Sequence, residues 1–225
     1  MRKVSARNKA ALLLPPRVAS ELLPADVTSV MGDLVWSQLL LTGDGAGRTL
    51  EDLAILESHC QEVSFTGMRL ERARVRDVVF DHCDLSAVRF NDAGLTRVAF
   101  RNCRLSGAQF PDAQLRDVQF IGCKLDDANF RMVDAERLRI TDCLLRDADF
   151  HGSRLTGLRC YDSELTGVEF GQSSVRDVRL NGSVVDGIKG ADALKGVVID
   201  SAQVIPFALS IMATMKVDVD DTRPD

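Results

Sequence analysis

Every fifth residue from Ile55 to Val185 is apolar, and the register never slips. Only Cys60, Ala135 and Cys160 fall short of a full-size hydrophobe. Nine of the ten phenylalanines sit on this lattice, at Phe65, Phe80, Phe90, Phe100, Phe110, Phe120, Phe130, Phe150 and Phe170. Two positions earlier runs a second column of smaller residues, among them Ala73, Val78, Cys83, Val88, Ala93, Val98 and Cys103. A period of five matches neither the 3.6 residues of a helix turn nor the alternation of a strand, so the chain is a repeat solenoid.

Cys83, Cys103, Cys123 and Cys143 recur every twenty residues. Four five-residue units therefore make one coil, and equivalent residues return to the same face. The large inward position sorts the same way. Leu85, Leu105, Leu125, Leu145 and Leu165 form one ladder, and Phe90, Phe110, Phe130, Phe150 and Phe170 form the next. Val75, Leu95, Leu115, Ala135, Leu155 and Val175 make the third, and Phe80, Phe100, Phe120, Ile140, Cys160 and Leu180 the fourth. The outward positions are polar, and the last of each unit is dominated by Asp and Gly, the residues of corners. Coils stacked like parallel strands lie ~4.8 Å apart, so about seven of them make a rod roughly 34 Å long.

Units such as CDLSA (Cys83–Ala87), AQFPD (Ala108–Asp112), ADFHG (Ala148–Gly152) and SELTG (Ser163–Gly167) resemble the pentapeptide-repeat family, of bacterial type. The resemblance covers about residues 53–192. It implies an all-β solenoid, a right-handed quadrilateral parallel β-helix, the hand also favoured by the crossover rule. The expected layout is a flexible arm and irregular N-terminal cap over 1–50 and the β-helix over 51–192. A C-terminal α-helical cap and acidic tail follow over 193–225. Trp36 is expected to plug the open N-terminal end. Asp200 or Ser201 can N-cap the C-terminal helix, which Pro206 is expected to kink or divide.

Composition narrows the function. The 225 residues carry 28 basic and 33 acidic side chains, a net charge of −5, with no basic stripe of the kind that binds nucleic acid. No apolar run reaches the ~18–20 residues of a membrane span. The opening MRKVSARNKAALLLPP has too short an apolar stretch for a secretory signal and reads as a mobile arm, which leaves the cytoplasm as the expected compartment. The four twenty-spaced cysteines, with Cys60 and Cys160, read as buried core thiols rather than disulfides, because such thiols pack as small hydrophobes. They lack Cys-x-x-Cys or interleaved His spacing, so neither metal nor cofactor is expected. His59, His82 and His151 face outward while the cysteines and Ser153, Ser163, Ser173 and Ser183 point inward, so no His–Ser or His–Cys pair can form and no enzyme chemistry is expected.

Two surfaces remain as candidates. Arg139, Arg159 and Arg179 share a column with ~5 Å between neighbouring Cα atoms, Tyr161 lies among them, and Asp142 and Asp162 share the face. This reads as a cross-coil ion-pair lattice or as a partner patch of hot-spot residue types. At the C-terminus, Phe207, Leu209, Ile211 and Met212 offer more apolar surface than one coil end needs and are expected to form a homodimer interface. The expected role is a non-enzymatic scaffold binding a protein partner. The resemblance supplies an alternative: some family members resemble duplex DNA in size and charge, bind DNA gyrase and blunt quinolone action. That alternative needs an acidic stripe. The most acidic face holds Asp84, Asp126, Asp127, Asp147, Glu164 and Asp186, but also Arg104, Lys124 and Arg146.

Overall fold

The computed structural model describes residues 12–218 and shows a parallel β-solenoid of about eight turns closed by a short C-terminal helix. The longest strands, Arg74–Asp81, Gly94–Arg101, Gln114–Ile121 and Asp134–Thr141, pair in parallel with a constant twenty-residue register. Each of these strands crosses a corner without breaking. The next two faces are built from single bridges such as Asp84↔Arg104 and Arg89↔Gln109.

The period of five has a backbone cause. Every fifth residue from Asp52 to Gly187 has a positive φ, whether it is glycine, aspartate or a bulkier residue such as Arg72, Met132 or Arg137. Left-handed backbone costs an L-residue about 1–2 kcal/mol, so a compensating bond is required at each corner. Ala87 shows it: its N–H donates to the Ser106 carbonyl of the next coil at 2.9 Å. The adjoining Val88 N–H closes the turn onto Leu85 O at 3.2 Å. An i to i+3 bond around a third residue of positive φ is the type II arrangement, which explains the Asp and Gly bias.

Inside, the ladders run as expected. Phe90, Phe110, Phe130, Phe150 and Phe170 stack with centroids 4.7–5.4 Å apart and planes within 10° of parallel. The Phe80–Phe100–Phe120 stack faces them and meets them edge-on, as at Phe120–Phe130, 6.0 Å and 74°. Leu85, Leu105, Leu125, Leu145 and Leu165 are buried alongside. All six cysteines are buried and free. Their column does more than fill space. Cys123 N–H donates to Cys143 Sγ at 3.3 Å, and where serine takes over the position, Cys143 N–H donates to Ser163 Oγ at 3.1 Å. The small inward side chain thus accepts an amide that has turned toward the core. At Ala135, with Leu115 and Leu155 as ladder neighbours, the corner residue Met132 is exposed, while Leu138 is buried nearby.

The N-terminal layout differs from the expectation. Coiling begins at Leu23, not near residue 51, and this brings seven expected coils to about eight. Leu23 pairs with Leu39, Leu40 with His59, and His59 with Val79, so the register lengthens from 16 through 19 to 20 residues. The slip falls at Gly43, whose φ of +97° and contact with the Asp26 carboxylate exclude any side chain. The slip displaces Trp36 and Leu41 by one residue from the lattice, although both are buried ladder members, opposite Ile55 and Cys60. The end is closed by Trp36 together with a short helix, α1 (Val27–Val30), N-capped by Asp26. Trp36 Nε1 donates to Val30 O at 2.8 Å, and Val27 fills the inward space left at Gly45.

At the other end Asp200 caps a helical turn, Ser201–Gln203, that leads into α2 (Val204–Thr214). Buried Gln203 donates to the Leu180 and Ser183 carbonyls, both at 2.6 Å, and so seals the last coil's open backbone. Pro206 neither kinks nor divides α2. It lies in the first turn, where its missing N–H is not needed. The expected opening of the arm, residues 1–11, and the acidic tail, 219–225, lie outside the described residues.

Candidate functional site

The rod offers its surroundings the outward columns, one corner and the outer face of α2. Among the described residues, seven ion pairs join outward side chains twenty residues apart on neighbouring coils. Arg72 grips Asp52, Arg104 meets Asp84 at 3.4 Å, and Arg146 holds Asp126 at 3.1 Å. On the most acidic face this pairing neutralises half of the acidic residues, since Lys189 also reaches Asp147 at 3.4 Å. Asp127, Glu164 and Asp186 carry no ion pair among the described residues.

Arg139, Arg159 and Arg179 do stack in register, with Thr141 and Tyr161 paired two residues further along the strands. The expected pairing with Asp142 and Asp162 is not formed. Arg159 turns to the corner instead and binds the Asp177 carboxylate at 2.5 Å, which leaves it largely buried. Arg139 and Arg179 have no ion pair among the described residues, and Arg139 Nε is buried without a hydrogen-bond partner. Three guanidinium groups thus share one counter-ion. The histidines are dispersed, and His82 leans on Asp81 at 3.0 Å. Among the described residues no cluster of His, Cys, Asp and Glu is placed to hold a metal. Burial raises the Cys60 thiol well above its ordinary value and pushes Cys160 up to about 12, so neither is a nucleophile near neutral pH.

Of the four residues expected at a dimer interface, Phe207 belongs instead to the cap: it is buried against the last coil, as α2 turns Phe207 and Ser210 inward behind Gln203 of the preceding turn. Ile211 packs partly against the core and Met212 is half-buried. Leu209 alone of the four is open, 60% exposed, and Val204, Ile205 and Met215 join it on the outer face. Beside it, a groove of about 490 Å³ runs between α2 and the last coil, lined in part by Ile188, Pro206 and Leu209.

The sequence reading missed one feature entirely. Residues 12–20 are not a free arm but lie along the rod, antiparallel to its growth. Leu14 N–H donates to Asp117 Oδ1 at 3.0 Å, Arg17 N–H to Asp77 Oδ1 at 2.9 Å, and Ala19 N–H to Glu57 O at 3.2 Å. Asp77 and Asp117 are corner residues only 4% and 1% exposed. Each also takes a two-pronged guanidinium from the next coil. Arg97 reaches Asp77 at 2.6 Å on both prongs, and Arg137 reaches Asp117 at 2.6 and 2.9 Å while also touching Glu136. Burial alone would raise both carboxyls. The hydrogen bonds from Arg97 and Arg137 and from the strap amides outweigh it and hold them below the ordinary value. Val79 and Ala99, outward on the same strands, are 7% and 0% exposed, which fits a segment lying across them. Two signals were legible: the Pro15–Pro16 pair among apolar residues, and the alternation Asp77, Arg97, Asp117, Arg137 down one corner.

These columns and corners define a repeat rod. A family model described as the pentapeptide repeat region matches residues 53–130 and 95–189, and the chain belongs to that family. No curated protein sequence matches it significantly. Among solved structures it is similar to QnrB1, a plasmid-mediated fluoroquinolone resistance protein, at 20% identity and TM-score 0.41, covering 91% of this chain and 93% of that one. It is also similar to HetL, a pentapeptide repeat protein involved in heterocyst differentiation regulation in the cyanobacterium Nostoc, at 17% identity and TM-score 0.41, covering 85% and 93%. A pentapeptide repeat protein from the Arabidopsis thaliana thylakoid lumen matches at 20% identity and TM-score 0.24, covering 54% and 68%. No described helix is long and apolar enough to cross a membrane.

Proposed function

We propose that the protein is a non-enzymatic interaction scaffold, a rigid rod whose arginine column docks on an acidic surface of a protein partner. The observation that carries this is the stack of Arg139, Arg159 and Arg179 with Asp177 as its one paired carboxylate among the described residues. Like charges ~5 Å apart are unfavourable until a partner supplies the missing anions, and Arg with Tyr161 beside it is an interface composition. The test is affinity capture from the native host with the wild-type chain and with Arg139→Glu/Arg179→Glu. The reading expects a partner recovered by the first and lost with the second, and equal recovery by both would overturn it.

A second reading, a DNA-mimicking binder of DNA gyrase or topoisomerase that protects against quinolones, draws on the unpaired Asp127, Glu164 and Asp186. The neutralised Asp84, Asp126 and Asp147 weigh against it, because mimicry needs an uninterrupted negative stripe. A gyrase supercoiling assay with a quinolone separates the two: protection at near-stoichiometric protein would favour mimicry over the scaffold.

The apolar outer face of α2 supports a homodimer joined end to end, now through Val204, Ile205, Leu209 and Met215 rather than Phe207. Light scattering should report about twice 24.7 kDa, and Leu209→Asp should halve it. A cytoplasmic setting accords with six thiols that stay free. Thiol titration without reductant should find very few groups before denaturation and nearly six after it.

A further inference from the structure

We propose that the corner groove along Asp77 and Asp117 is a peptide site of the polyproline II type, shut in the isolated chain by residues Leu13–Ala19 and opened when a proline-containing segment of a partner protein displaces them. The geometry is a match of two repeats. Asp77 and Asp117 stand two coils apart, ~9.6 Å at the parallel-strand spacing. Three residues of polyproline II advance ~9.3 Å. Donors on residues 14 and 17 therefore meet both carboxylates in step. The two residues between them are Pro15 and Pro16, which have no N–H to leave unpaired beside the Arg97 cation. Burial along the strap follows the same period over its first six residues: Leu13 and Pro16 are half-buried, as are Val18 and Ala19 beyond them, while Leu14, Pro15 and Arg17 are exposed.

The strap is not needed to finish the fold. Trp36 and α1 close the N-terminal end, and the ladders beneath Val79 and Ala99 are complete without it. Three backbone hydrogen bonds tie it down over Leu14–Ala19. A tethered segment enjoys a local concentration on the order of millimolar, so weak intrinsic affinity suffices to keep it in place. A partner segment that adds contacts of its own can replace it. Recognition would read chemistry rather than sequence: two N–H donors three residues apart, prolines between, and an apolar residue before each donor, as in Leu13–Arg17. Preformed polyproline II limits the ordering cost, the general advantage of such ligands.

The inference rests on the interaction role proposed above, but its test does not involve the arginine column, so the two can fail separately. The full-length chain carrying Leu14→Pro and Arg17→Pro keeps an extended strap and loses both donors. The probe is a fluorescein-labelled synthetic peptide of residues 12–19, followed by anisotropy. The double variant should bind it at least tenfold more tightly than the wild type. A peptide N-methylated at the residues matching Leu14 and Arg17 should not bind. Equal binding of the two peptides, or no binding by the double variant, overturns the proposal. Should that variant fold poorly, amide exchange on the wild type decides. Leu14 and Arg17 amides should exchange at least a hundredfold faster than the core amide of Phe110, and exchange at the same rate makes the strap an integral part of the fold and ends the idea. A double variant that instead runs as a dimer with protected strap amides would give the groove to a second copy's arm, and would equally overturn it.

Discussion

At the strapped corner, Arg97 and Arg137 hold Asp77 and Asp117 from one coil away; elsewhere around the coil, Arg146 holds Asp126 with the same two-pronged geometry at 3.1 and 3.2 Å. The residue types and the twenty-residue spacing are identical. The surroundings are not. Asp77 and Asp117 are almost fully buried and each also receives a strap amide, whereas the Asp126 and Arg146 side chains are 24% and 54% exposed. Water competes for an exposed pair and leaves it worth little. A covered pair cannot turn to water when one partner is removed, and the remaining group then bears the desolvation cost. Identical repeats of sequence therefore carry unequal weight, and the strap sets the difference.

The largest expected effect tests that inequality directly. Asp117→Ala should destabilise the protein by about 3 kcal/mol, the low end for breaking a buried pair, because Arg137 can still reach Glu136. Asp126→Ala should leave the denaturation midpoint nearly unchanged. Equal midpoint shifts in urea would show that the strap gives the corner no special environment.

Acid should separate the two sites next. Both corner carboxyls have lowered pKa values when folded. Their stabilisation is then complete above the unfolded value of about 4 and is lost as pH falls through the folded values. Protection of the Leu14 and Arg17 amides, relative to Phe110, should therefore hold from neutral pH to about 4 and vanish below it. Loss already near pH 6 would point to another titrating group.

Arg97→Lys keeps the charge and removes the fork. It should cost about 1 kcal/mol, one net hydrogen bond. The same change at Arg146 should give no resolvable shift in chemical denaturation. The smallest effect expected is the coupling between Asp126 and Arg146 in a double-mutant cycle. A clear coupling there, comparable with that of Asp117 and Arg137, would erase the distinction between the sites.

The sequence by itself determined the core. A side chain that must point inward every fifth residue, and a small one two places earlier, leave a lattice that no solvent-exposed constraint can blur. Ladders from Ile55 to Val185, the corners and the buried thiols were all legible for that reason. Where the lattice slips by one residue at Gly43, the same physics operates but the period breaks, and the coil holding Trp36 and Leu41 read as an irregular cap. The ends were harder still. Phe207 and Leu209 are equally apolar, and only the docking of α2 against the last coil decides that one is buried and the other open. The strap left only indirect signals, the Pro15–Pro16 pair and the Asp–Arg alternation down one corner, and nothing in the sequence joined them. Its bonds join Leu14 to Asp117 and Arg17 to Asp77, and no local periodicity links residues so far apart. Those contacts exist because stacking sets two carboxylates at a spacing that an extended Pro–Pro segment happens to share, a coincidence of lengths that only the assembled rod can display.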